Sequence, residues 1–166
     1  MNAYKMLIPS VLLVGAVAAM ADGGKVNVEY INADKFTDVK DRQFKSAPEK
    51  NQNLIGLKSW FEKRAVDWVA YGQQLKMQFN DIDLAGDYEP WQMSQLSEVR
   101  IVKDLYPPKM KFHFQLIGAD NAVIREGDRE LRDLSFMMSS DSNSSESMRY
   151  EKKMLENWLR DEFPKP

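Results

Sequence analysis

Four carboxylates and two aromatic rings fall within eleven residues: Asp81-Ile82-Asp83-Leu84-Ala85-Gly86-Asp87-Tyr88-Glu89-Pro90-Trp91. Three readings compete for this segment. The first is a divalent-cation site, since a hard cation needs several oxygens at about 2.0–2.6 Å. Asp81, Asp83 and Glu89 could supply them if the chain folds back at Gly86. The spacing begins like a calcium loop, with acids at the first and third places and glycine at the sixth. It then departs, because Ala85 stands where an oxygen ligand belongs and Gln92 where a bidentate glutamate does. The second reading is acid–base hydrolysis: Asp81 and Asp83 share one face of a strand, about 7 Å apart at the backbone, compatible with a working carboxylate pair.

The third reading is architectural, and it is favoured. Asp81 and Asp83 form the polar face of a strand whose Ile82 and Leu84 enter the core, Gly86 turns the chain, and Glu89-Pro90-Trp91 packs as a corner. Arg100 is a natural bidentate partner for one of the carboxylates. Such a pair favours a unique strand register as much as stability. No catalytic residue, metal or cofactor is assigned on this reading. Asp81, Asp83, Glu89, Trp91 and Arg100 are instead candidates for a contact surface.

Other chemistries are bounded by composition. The chain has no cysteine, which excludes disulfides, thiolate catalysis and sulfur-bound metals. Its one histidine, His113, lies between Phe112 and Phe114 and so points away from the core with Lys111 and Gln115. Trp60, Tyr71, Tyr88 and Trp91 fall outside the clearest apolar stripes and are candidates for a groove or for a second layer of core. Ten methionines, two adjacent at Met137-Met138, suggest adaptable packing rather than a copper site.

The elements that must position these groups are set by periodicity. Lys25 to Ile31 alternates as a half-buried strand. Ser46-Ala47-Pro48-Glu49 is a capping-box sequence opening a helix with Leu54, Leu57, Phe61, Ala65 and Trp68 on one stripe, ended by Gly72. Leu75, Met77 and Phe79 alternate, and Ile82 and Leu84 resume one residue out of phase, so Asn80-Asp81 is a bulge or a break. Glu98 to Tyr106 reads as a strand stopped by Pro107-Pro108. Phe112, Phe114 and Leu116, then Gly118 to Asn121, then Ala122 to Glu130, make the clearest hairpin. Residues 139–147 hold six serines and read as a mobile loop. A final helix from about Ser147 to Phe163, capped by serine, gathers Met148, Leu155, Trp158, Leu159 and Phe163, with Glu156 and Arg160 spaced as an i,i+4 pair. The sum is an α+β domain: a mostly antiparallel sheet of about five strands, a long helix after the first, and a C-terminal helix packed on it.

Residues 1–21 read as a cleaved secretory signal: Lys5, an apolar run from Met6 to Met20, and small residues at Ala19 and Ala21. Cleavage leaves a single 145-residue domain, 22–166, with 22 basic and 25 acidic residues. That balance lacks the excess cations a sequence-independent nucleic-acid binder uses. No second apolar run reaches the length of a membrane span. The expected location is periplasmic or extracellular.

The block Asp81 to Gly86 with Glu89-Pro90-Trp91 after it also resembles the signature of a bacterial family known as domain of unknown function 3016. Val99-Arg100-Ile101, Pro107-Pro108, Leu131-Arg132-Asp133, Tyr150-Glu151-Lys152 and Trp158 match in order. The resemblance implies a signal peptide and one small domain, and carries no activity with it. The favoured function is therefore a non-catalytic binding or accessory module of the cell envelope, its partner another envelope protein or a small ligand. The alternatives are a metal-dependent or carboxylate-based hydrolase using Asp81, Asp83 and Glu89, and a purely structural subunit.

Overall fold

The computed structural model describes residues 24–39, 50–89, 99–138 and 146–163. The expected signal, the Ser46 to Glu49 helix start, Trp91 and residues 139–145 lie outside them. Strand β1 (Lys25–Tyr30) leads to helix α1 (Gln52–Ala65), and the chain returns in β2 (Gln74–Asp83), parallel to β1 with Val28 opposite Met77. A helical crossover is what lets consecutive strands run parallel. The Asn51 side chain caps α1, accepting the Asn53 and Leu54 N–H groups, while its amide donates to the Val39 carbonyl at 2.6 Å. Leu54, Leu57, Phe61 and Ala65 are buried as their stripe requires, and a single 3-10 turn, Val66–Trp68, carries Trp68 into the core.

Two short strands, β3 (Asp87–Tyr88) and β4 (Arg100–Ile101), form a ribbon of their own. β5 (Lys109–Ile117) and β6 (Val123–Arg132) make the hairpin, closed by the Gly118 N–H on the Ala122 carbonyl at 2.8 Å. Helix α2 (Arg149–Glu162) ends the described chain. The sheet order is β1-β2-β5-β6.

The class is α+β, but the sheet differs from expectation. Among the described residues it has four strands rather than about five, and it is mixed: β2–β5 and β5–β6 pair antiparallel as expected, while β1–β2 is parallel across the α1 crossover. The strand expected from Glu98 to Tyr106 shrinks to Arg100–Ile101, since the Tyr106 N–H turns back to the Lys103 carbonyl at 3.0 Å. No serine caps α2: Met148 stands before it in a left-handed conformation, φ 56°. Glu156 reaches across to Arg64 on α1 rather than along its own helix to Arg160, which bonds Asn157.

One sheet face carries the core. Leu75, Met77 and Phe79 of β2 and Phe112 and Phe114 of β5 meet Phe61 of α1 and Trp158 of α2. Trp158 lies edge-on to Phe112 and Phe114, ring centres 4.8 and 5.4 Å away. The opposite face presents polar rows such as Glu29, Gln78, His113 and Asp128, where the His113 ring bonds Asp128 at 2.9 Å. The free edge of β1 is covered by an ion pair from α1. Val28 donates its N–H to Glu62 at 3.0 Å and accepts from Lys58 at 2.7 Å, satisfying groups that an edge strand would otherwise offer to another chain.

Candidate functional site

The pairing of β2 with β5 shifts between Phe79 and Asp81. This bulge restores inward phase to Ile82 and turns Asp81 and Asp83 to the polar face, opposite Lys111 and Lys109. Beyond the bulge, residues 37–39 run alongside β2. The Asp38 N–H donates to the Ile82 carbonyl at 3.0 Å, and the Leu84 N–H donates to the Asp38 carbonyl at 3.0 Å. Asp81 serves this junction, accepting the Thr37 N–H at 2.7 Å and the Thr37 hydroxyl at 2.8 Å. Asp83 accepts from Lys109 at 2.9 Å.

Gly86 turns the chain into β3 with φ 81°, and a Cβ there would lie 2.7 Å from the Ile101 carbonyl oxygen. Conformation and space both demand glycine. Its N–H donates to the Tyr106 carbonyl at 3.0 Å, which holds the 103–106 turn against the start of β3.

Arg100 on β4 joins this turn to the 37–39 segment. Its guanidinium donates to the Gly86 carbonyl at 2.8 Å, lies over the Tyr88 ring at 4.8 Å, and brings Nη2 to 2.8 Å from an Asp38 carboxylate oxygen. That last N–H is poorly aligned, so the contact is an ion pair more than a hydrogen bond. With the two side chains 19% and 15% exposed, it is largely shielded from water. The expected arginine–carboxylate pair thus exists with a different acid. Asp81 and Asp83 are taken by Thr37 and Lys109, and the parallel bridge of Asp38 with Asp83 puts Asp38 within reach.

Glu89 is the most deeply placed of the candidate acids, at 2% exposed. Lys103 donates to both its oxygens at 2.7 Å and the Tyr106 hydroxyl donates at 3.0 Å. The bond to Glu89 in turn raises the Tyr106 pKa, with smaller contributions from desolvation and from the Glu89 and Asp87 charges. Asp81, Asp83 and Glu89 are therefore held by three different sets of donors. Among the described residues no group of three acids or histidines converges as a metal site would require. The geometry provides fixed charges around an open cleft of about 440 Å³, lined by Asp83, Asp87, Tyr88, Tyr106, Lys109 and Arg132.

One neighbour of this region enters the sequence patterns only within the Tyr150-Glu151-Lys152 block of the family resemblance and not as a site residue. Glu151, in the first turn of α2, is 2% exposed and accepts the Ala85 N–H at 2.6 Å, tying the helix to the turn after β2. Burial raises its pKa, against the lowering effect of the Ala85 N–H and of the Arg100 charge. A signal did exist: Glu151 shares the helical face of Leu155 and Trp158, where a carboxylate needs a partner. Of the aromatic candidates, Tyr88 reaches the cleft, Trp60 lies beneath Lys152, and Tyr71 is exposed and does not line it.

The chain belongs to the family described as Protein of unknown function (DUF3016), whose model matches residues 24–161. No curated protein and no solved structure matches it. No helix among the described residues is long and apolar enough to cross a membrane.

Proposed function

We propose that the protein is an exported binding module of the cell envelope without catalytic function, with the cleft at the end of β2 as its contact surface for a small ligand. The observation that carries this reading is the pairing of the acids. Asp81, Asp83 and Glu89 each accept from their own donors, so they brace the loops that form the cleft and are not poised to exchange a proton or attack a bond. A rigid polar hollow of this volume suits a small molecule. Export rests on the apolar leader, and amino-terminal sequencing of chain secreted by a bacterial host should begin at Asp22.

Leu105 is 71% exposed on the cleft rim, so Leu105→Trp should obstruct the cleft without disturbing the core. Backbone NMR of the full chain against mixtures of small metabolites should move the Gly86, Tyr88 and Tyr106 resonances in the wild type and leave them still in the variant. Resonances that no mixture moves would sink the reading. Turnover of an ester, phosphoester or glycoside that disappears in Asp83→Asn would replace it with the hydrolase.

A further inference from the structure

We propose that this cleft takes a small zwitterion of the amino-acid class, its ammonium at Asp87 and its carboxylate at Arg132 beside Lys109, an assignment that rests on the binding function proposed for the cleft. A single row of residues crosses three strands here. Asp83, Lys109 and Arg132 are direct neighbours on β2, β5 and β6. Lys109 and Arg132 are like charges placed opposite one another, an arrangement that destabilises a sheet unless something neutralises it. Lys109 is committed to Asp83 at 2.9 Å. Arg132 is exposed and has no acidic partner among the described residues. A guanidinium in that position presents a fork matched to a carboxylate.

The other wall offers the opposite charge. The Asp87 side chain accepts the Tyr88 N–H at 2.7 Å, and no cation among the described residues pairs with it. It is half-buried on β3, where the Gly86 turn and the Tyr106 contact fix its place on the cleft wall. Leu105, Tyr106 and Pro107 supply apolar surface to the same cleft.

Across the walls and the arginine behind them, Asp38, Asp83 and Asp87 balance Arg100, Lys109 and Arg132. An ion of one sign would lose hydration there without meeting a net counter-charge. A molecule carrying both signs finds one uncommitted partner for each. The two ion pairs, Asp38 with Arg100 and Asp83 with Lys109, remain undisturbed as walls.

Thermal unfolding and calorimetric titration of the full chain test the assignment. The probes are the standard free amino acids at millimolar concentration, with the N-acetyl derivative and the amide of each. At least one free amino acid should raise the unfolding midpoint, while its N-acetyl form, lacking the cation, and its amide, lacking the anion, should not. Arg132→Gln and Asp87→Asn should each weaken that binding by about tenfold or more, roughly the loss of one charge-assisted contact. Both positions lie outside the core, so the unliganded midpoint should stay close to wild type. Binding retained by either blocked derivative, or by both variants, overturns the proposal. Binding of sugars, dicarboxylates or polyamines alone, blocked by Leu105→Trp, overturns the zwitterion while the cleft stands as a binding site. Failure of every probe class, free amino acids included, overturns both.

Discussion

Leu75, Met77 and Phe79 lie on the first part of β2, Asp81 and Asp83 on its last part, and a single bulge separates them. Before the bulge, stability comes from apolar area removed from water, with rings packed in from both helices. After it, Ile82 and Leu84 still face the core, but the polar groups around them are held by directed contacts: Thr37 on Asp81, Lys109 on Asp83, Arg100 on Asp38 and the Gly86 carbonyl, Glu151 on the Ala85 N–H. Apolar burial is non-directional and tolerates repacking. A polar junction is specific, and removing one partner strands the other. One strand thus serves two ends. Its apolar half holds the domain together, and its polar half fixes loops into the shape of a cleft.

Substitutions in the two halves should behave differently. Phe112→Ala, which leaves a void against Phe79 and Trp158, should cost about 3–5 kcal/mol in denaturant unfolding. A much smaller loss would mean that the apolar half is not the stabilising one. Arg100→Met takes a largely shielded cation away from the Asp38 carboxylate and the Gly86 carbonyl and should cost about 3 kcal/mol. If it proves as stable as wild type, the guanidinium is not the hub of the junction.

Glu151→Ala should cost about 1–3 kcal/mol by orphaning the Ala85 N–H, whereas Glu151→Gln keeps an acceptor there and should cost less. The pH dependence adds a second readout. A carboxyl whose folded pKa is raised favours the native state most below its unfolded pKa, and that advantage is lost as pH rises through the folded value. The stability of Glu151→Gln relative to wild type should therefore climb from acidic toward neutral pH, and a flat difference would show that Glu151 titrates as it does in the unfolded chain. Asp81→Ala, at an exposed junction, should cost about 1 kcal/mol and loosen residues 37–39 in hydrogen exchange. The smallest effect is expected at His113, on the polar sheet face, where alanine should change stability by no more than about 0.5 kcal/mol.

Much of the apolar half could be read from spacing. The stripe of α1, the out-of-phase resumption at Ile82, the hairpin around Gly118 and the stripe of α2 all lie within a few residues of where periodicity puts them. The parallel return of β2 was missed, because alternation says which face a strand buries and is silent about the direction of its neighbour. In the polar half, the residue types were readable and the partners were not. An arginine–carboxylate pair was expected and found, yet its acid is Asp38, from a charged, irregular stretch far away along the chain. Glu151 likewise has the look of an ordinary first-turn acid, and only the fold sets the Ala85 N–H against it.

Composition and periodicity alone determined the cysteine-free chemistry, the amphipathic helices, the slip of phase at Asn80-Asp81 and the α+β class, because sterics and side-chain period act over neighbouring residues. Only the tertiary structure decided which charge meets which, and which charges of the cleft stay uncommitted. Coulombic and hydrogen-bonding partners are chosen through space, after the sheet and helices have brought distant segments within about 3 Å.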